Sequence, residues 1–180
     1  MPANQDHAHD VIAIGRSSVD LYGQQIGSRL EDIATFSKSV GGCPANIAVG
    51  TARLGLKSGL ITGVGAEQMG RFIIEQCARE GVATQGIKID KERLTALVLL
   101  AVEDEGVSPM IFYRPDCADM AITEDDVDEA FVRSSKSVLV SGTHFSRPNT
   151  AAAQLKAMRI AKANGGKVVF DIDYRPNLWG

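Results

Sequence analysis

Gly41-Gly42-Cys43-Pro44-Ala45-Asn46 is the stretch on which the reading of this chain turns. Two glycines close an extended segment, a proline stands where a helix begins, and an asparagine follows one turn in. Glycine lets backbone approach a ligand closely because no Cβ intervenes. Proline in the first helical turn gives up an N–H that has no partner there anyway. The block therefore predicts a small polar pocket at a helix N-terminus, suited to a hydroxyl-rich or anionic ligand.

Working outward, apolar runs and helical periodicity alternate. Val11 to Ile14 is a short, wholly apolar run ending at Gly15, the mark of a parallel strand buried on both faces. Pro44 to Leu54 reads as a helix, Gly59 to Val64 as a strand, and Glu67 to Glu80 as an amphipathic helix closed by Gly81. A strand follows around Gly86 to Ile89. The pattern then changes. Thr95 to Val102 and Pro109 to Tyr113 read as a hairpin across the acidic turn Glu103-Asp104-Glu105-Gly106, and Ile33 to Val40 as a strand of the same accessory sheet. Alternation resumes with a helix from Thr123 to about Arg133, introduced by capping-box spacing, and a strand from Ser137 to Val140. A helix from an Asn149 cap to Ala163 and a strand from Val168 to Asp171 end the series. Such units build an α/β fold, a doubly wound, mostly parallel sheet with flanking helices, here with a small β lid. Ligands bind beyond the carboxyl ends of such strands. Arg16 to Asp20, His144, Arg147 and Asp171 to Arg175 all fall there.

Bulk properties narrow the function. The 180 residues carry a formal net charge of −3, so no basic excess points to nucleic acid. No apolar run has the length of a membrane span, and the polar stretch Met1 to Asp10 reads as a loose tail without a signal-peptide core. Cys43, Cys77 and Cys117 are odd in number and widely spaced, which argues against disulfides or zinc and for a reducing cytoplasm.

Several residues carry candidate chemistry. Asp20, just past the first strand, can accept two hydrogen bonds from adjacent sugar hydroxyls. The alternative is a turn-stabilising Asp. Asn46 both donates and accepts, and its poor fit to a helix is explained by ligand contact. Tyr113 and Arg114 end the hairpin, where the arginine fork suits a carboxylate or phosphate, unless they are an ordinary surface pair. Asp171 and Asp173, two apart, repel unless magnesium or Arg175 compensates. That cluster reads as phosphate handling or as a structural Asp–Arg pair. His144 has no nucleophile arranged beside it and reads as a hydrogen-bonded or lining histidine.

Together these pieces resemble the ribokinase-like (PfkB) family of sugar kinases. Gly41 to Ala48, then Gly55 and Gly65 at their spacings, match its N-terminal signature, and the likeness runs from Gly15 through Asp20 to Arg175. The resemblance implies ATP-dependent phosphorylation of a terminal hydroxyl on a keto-deoxy sugar acid, with ATP and Mg2+ as cofactors. It places Asp20, Gly41, Gly42 and Asn46 on the sugar, and Tyr113 and Arg114 descending onto it from the lid. Arg175 would meet the carboxylate or the transferring phosphate, and Asp173 would lie near the nucleotide phosphates. Lid segments at about 30–40 and 95–115 would cover the sugar and join copies into a homo-oligomer. Pro176 stands where relatives place a Glu, which leaves magnesium ligation open. Relatives also run to about twice this length, and their Gly-Ala-Gly-Asp base and anion hole have no counterpart, since no Gly-x-Gly-Asp occurs here. The expectation is therefore that residues 1–180 form the N-terminal, sugar-binding part of one such domain, with the catalytic half missing. A 2-keto-3-deoxygluconate kinase, a fructokinase, and a non-catalytic sugar-binding or dimerisation module are the competing readings.

Overall fold

The computed structural model describes residues 7–102, 109–176 and 179. In chain order the elements are β1 (Val11–Ile14), β2 (Ser18–Gly23), β3 (Phe36–Gly41), α1 (Cys43–Arg53), β4 (Ser58–Gly65), α2 (Gln68–Arg79) and β5 (Ala83–Asp90). Then come β6 (Leu97–Leu100), β7 (Met110–Tyr113), α3 (Glu129–Arg133), β8 (Ser137–Ser141), α4 (Pro148–Ala163) and β9 (Lys167–Asp171). Five strands form a parallel sheet in the order β5-β4-β1-β8-β9. β1 lies at its centre, so all four of its residues are buried. Successive side chains of a strand point to opposite faces. Ile12 and Ile14 accordingly join Phe131, Val138, Val140 and Ile160 under α3 and α4. Val11 and Ala13 join Ala45, Ala48, Leu60, Ile73 and Cys77 under α1 and α2. This is the doubly wound arrangement, with an apolar layer on each face.

A second sheet runs β3-β2-β6-β7, with β2 antiparallel to β3 and parallel to β6, and β6 antiparallel to β7. The segments expected at about 30–40 and 95–115 contain three of its strands. The fourth, β2, corrects the reading of Arg16 to Asp20 as connection: Val19 and Leu21 alternate with Asp20 and Tyr22, and Val19 is fully buried. Residues 30–32 form a 3-10 turn rather than part of β3. The acidic turn 103–106 lies outside the described residues.

Three further expectations are revised. The helix from Thr123 splits into a 3-10 turn, Glu124–Asp126, closed by the Thr123/Asp126 capping box, and α3, capped separately by the Asp128 carboxylate. Asn149 does not cap α4. Arg147 occupies that position, Pro148 opens the helix, and the Asn149 amide donates to the carbonyls of Met120 and Ile122. The tail is tied down from His9 onward: it bridges to Ser135, its Nδ1 lies 2.9 Å from Ser134 Oγ, and Asp10 pairs with Lys136 at 2.7 Å. Cys43, Cys77 and Cys117 are all free thiols. Among the described residues no helix is long and apolar enough to cross a membrane.

Candidate functional site

The chain leaves β1 at Gly15, passes Arg16 and Ser17, and enters the second sheet as β2. The two sheets meet there, at the carboxyl ends of the parallel strands. Between them lies a cavity of about 230 Å³. Its polar floor is Asp20, Gly42, Cys43 and Asn46, and its apolar roof is Val98, Leu100, Met110 and Phe112. Arg16, Tyr22, Asp173 and Arg175 complete the wall.

The glycine pair shapes the floor by steric means. Gly42 caps α1 at φ 95°, and a Cβ there would stand 2.6 Å from the Arg16 carbonyl oxygen. Gly41 pairs with Ser18, and a Cβ on it would fall inside the Asp20 carboxylate. Asp20 therefore lies over bare backbone, held by a 2.8 Å hydrogen bond from Ser18 Oγ. Burial pushes its carboxyl up from the ordinary value, against the Ser18 hydrogen bond and the Arg16 charge. Asn46 projects exposed from the first turn of α1 into the same cavity.

Two lid residues do not take the expected places. Tyr113 is 53% exposed and absent from the cavity wall. On β7 the alternate residues Met110 and Phe112 face in, so Tyr113 and Ile111 face out. Arg114 is turned into the interior, 4% exposed, and its Nε and Nη2 donate to Asp119 Oδ2 at 3.0 and 2.6 Å. Nη2 also lies 3.2 Å from His144 Nε2, which accepts from it when the ring is neutral. Burial pushes the Asp119 carboxyl up, but the Arg114 charge, the His144 contact and the Arg114 hydrogen bond together outweigh that and hold it below the usual carboxylate value. Burial lowers His144 in turn, against the pull of Asp119. This buried trio fixes the corner behind the cavity.

At the other end, β9 stops at Asp171, and both members of the acidic pair already have hydrogen-bond donors. Asp171 accepts from the Cys43 thiol at 2.8 Å and from the Asp173 N–H at 3.3 Å. Asp173, at φ 28°, accepts from Arg175 Nε at 2.9 Å. Burial, then Asp171, push the Cys43 thiol up to about 12, so it is a hydrogen-bond donor and no nucleophile at neutral pH. Arg175 thus serves as the cation beside Asp173, while the donors to Asp171 are neutral. Among the described residues no group of three or more His, Cys, Asp or Glu is placed to hold a metal ion.

The structure therefore brings together Asp20, Gly42, Asn46, Asp173 and Arg175, with Gly41 beneath them, and leaves Tyr113 and Arg114 outside. Tyr22, Cys43, Phe112 and the rest of the apolar roof were not among the expected site residues. The period-two alternation of β2 and β7 is the signal that finds Tyr22 and Phe112. A carboxylate and an amide on the floor bind polyol hydroxyls, the roof covers a carbon chain, and cationic groups at the wall suit an anionic end.

Residues 8–180 match the pfkB family carbohydrate kinase model. A 5-dehydro-2-deoxygluconokinase from Halalkalibacterium halodurans is 42% identical over 97% of this chain and 53% of its own length. The crystal structure of a PfkB protein from Polaromonas sp. JS666 superposes with a TM-score of 0.90 at 30% identity, over 96% of this chain and 58% of that one. An uncharacterized sugar kinase from Pyrococcus horikoshii, solved in complex with ATP, gives 0.85 at 31% identity, over 94% and 55%. The chain spans about half the length of the curated relatives it matches. A signature seated on the floor of a cleft between two sheets, and a match over residues 8–180, place this chain in the pfkB family of carbohydrate kinases.

Proposed function

We propose that this chain carries the sugar-binding half of an ATP-dependent kinase that converts 5-dehydro-2-deoxy-D-gluconate to its 6-phosphate. The observation that carries the reading is the cleft itself. Asp20 and Asn46 offer hydroxyl ligation beneath an apolar roof, with arginines at the wall, in a chain 42% identical to a relative of that name. The substrate is a small sugar acid, and neither nucleic acid nor membrane enters the reading. Phosphoryl transfer depends on positioning and charge stabilisation. In this reading Asp20, Gly41, Gly42, Asn46 and Arg175 position the acceptor, with Asp173 beside Arg175.

ATP use is supported by a similar sugar kinase solved with ATP. The residues present do not themselves fit magnesium: no acidic cluster exists among those described, and Asp171 and Asp173 are bonded to Cys43 and Arg175. The sequence has no Gly-x-Gly-Asp either. The role left to these residues is to bind and orient the acceptor, and the general base belongs to sequence beyond them. Residues 1–180 are then one part of a ribokinase-like domain working in the cytoplasm, a compartment the three free thiols fit. The second sheet acts as the lid. Its edge strand β7 exposes Ile111 and Tyr113, which supports pairing of lids in a homo-oligomer.

A coupled ADP-release assay on the complete gene product with the keto-deoxy acid tests this. Turnover that favours the acid over fructose is expected. Its absence refutes the reading.

A further inference from the structure

Three arginines stand around the cleft, and their partners differ. Arg114 is neutralised by Asp119 at 2.6 Å and sealed in the interior. Arg175 is paired with Asp173 at 2.9 Å and half exposed. Arg16 is 7% exposed, lines the cleft, and makes no ion pair among the described residues. Its buried Nε has no hydrogen-bond partner among them either. The side chain is nonetheless fixed: its guanidinium carbon lies 5.4 Å from the centroid of the Phe112 ring, and the backbone carbonyl packs on Gly42.

A guanidinium stays charged at any pH a protein meets, and a buried charge without a partner is strongly unfavourable. Structures keep such groups where a ligand completes them. The planar fork matches a carboxylate with two parallel N–H···O bonds, and stacking on an aromatic ring holds that plane ready. The geometry points to Arg16 as the residue that reads the substrate carboxylate and so selects sugar acids over neutral sugars. The inference rests on the proposed sugar-acid function and moves the acid-reading role from Arg114, which the fold uses internally, to the corner between β1 and β2. Discrimination follows from the same cost: a neutral sugar leaves Arg16 buried and unpaired, whereas an acid satisfies it. Asp20 and Asn46 take hydroxyls and do not distinguish the two.

The test titrates the full chain calorimetrically with D-gluconate and with D-glucitol, open-chain polyols that differ at one end by a carboxylate. The unsubstituted chain should prefer gluconate. Arg16→Gln should weaken gluconate binding by about 30-fold, the loss of a charge-assisted contact, and leave glucitol unchanged. Arg16→Lys, which keeps charge without the fork, should recover part of the preference. The melting temperature of ligand-free Arg16→Gln should be unchanged or higher, because an unpaired buried charge has gone. A preference for gluconate that survives Arg16→Gln overturns the inference. So does equal weakening of both ligands, no preference in the unsubstituted chain, or an Arg16→Gln chain that melts lower or fails to fold. Failure of the kinase reading is separate. A complete gene product without turnover on the keto-deoxy acid removes that reading, while an Arg16-dependent gluconate preference still establishes the acid site.

Discussion

Alanine at Gly41 and alanine at Gly42 should fail in opposite ways. At Gly42 the backbone stands at φ 95°, where a side chain costs about 1–3 kcal/mol. The new Cβ would also stand 2.6 Å from the Arg16 oxygen and 2.9 Å from the Ser17 Cα, both backbone atoms that yield only by moving β2. Such overpacking adds about 1–3 kcal/mol. Gly42→Ala should therefore lose about 2–6 kcal/mol of stability. At 2–4 °C per kcal/mol for a chain of this size, the melting temperature should drop by about 10 °C. Gly41 has no positive φ, and the three atoms nearest to its Cβ all belong to the Asp20 carboxylate, which can rotate away. Gly41 is buried, but what its Cβ displaces is the end of a half-buried side chain, so Gly41→Ala should melt within about 1 kcal/mol of the parent. Yet it displaces the one carboxylate on the cleft floor. Losing its charge-assisted bonds to two hydroxyls, with part of each recovered by water, removes about 3 kcal/mol of binding, or roughly 100-fold in affinity. Thermal melts and gluconate titrations on both variants decide it. If Gly41→Ala melts as low as Gly42→Ala, or binds like the parent, the steric account of the signature is wrong.

Four further outcomes follow. Asp119→Asn should cost about 3–5 kcal/mol in urea unfolding by leaving Arg114 buried and unpaired. Stability should also depend on pH with a definite sign. His144 is held below the ordinary 6.5, so the unfolded chain takes up its proton first, and stability falls as pH drops below 6.5. A further loss sets in below 4.5, where hydrogen bonds hold Glu67 low against its burial, and deepens below 3.8 as pH falls toward the depressed value of Asp119. His144→Gln should flatten most of the upper limb, leaving the smaller share of His9, which burial also lowers; an unchanged urea midpoint profile would refute the assignment. Cys43, pushed up to about 12, should resist iodoacetamide at pH 8, and Asp171→Asn should speed its alkylation, as read by mass spectrometry. Finally, β9 is a sheet edge with Val169 and Phe170 exposed at 46% and 49%, and Ile172 just beyond it at 71%. The 180-residue chain should self-associate in sedimentation velocity, and Val169→Lys should reduce that; a monodisperse monomer would show that the edge is already protected.

The parallel sheet is legible in the sequence because its signals are local. Val11 to Ile14 is apolar throughout, α2 repeats Ile73 and Cys77 at helical spacing, and Gly55 and Gly81 end their helices at φ 88° and 80°. β2 escapes such a reading because its polar residues, Ser18 and Asp20, suggest a ligand loop at the strand's end. Asp20 lines the cleft and the buried Ser18 hydroxyl holds it there, while Val19 and Leu21 face the core, so site and strand share the same six positions. The Asn149 cap fails for a tertiary reason, since the amide is taken by two carbonyls about thirty residues earlier in the chain.

The arginines show where sequence reading reaches its limit. Arg114 and Arg175 stand in motifs, and the motifs suggest that both meet the ligand. Whether an arginine is available to a ligand depends on the carboxylates within reach, and those come from elsewhere. Asp119 reaches Arg114 only because the chain after β7 folds back through the 3-10 turn Ala118–Ala121. Asp173 reaches Arg175 only because β9 stops two residues earlier. Arg16 has acidic neighbours whose fields it feels, Asp119, Asp20 and Asp173 in that order, but none bonds to it. Each of those carboxylates already has a donor: Arg114, Ser18 and Arg175 respectively. Each acid around the cleft thus has a donor of its own, although Asp119 Oδ1 and Arg114 Nη1 keep no partner, and among the described residues the Arg16 fork has no acid at all. A fold that needed Arg16 only for its structure would gain by turning one of those three carboxylates toward it. That none is so turned is the reason the missing partner is assigned to the ligand.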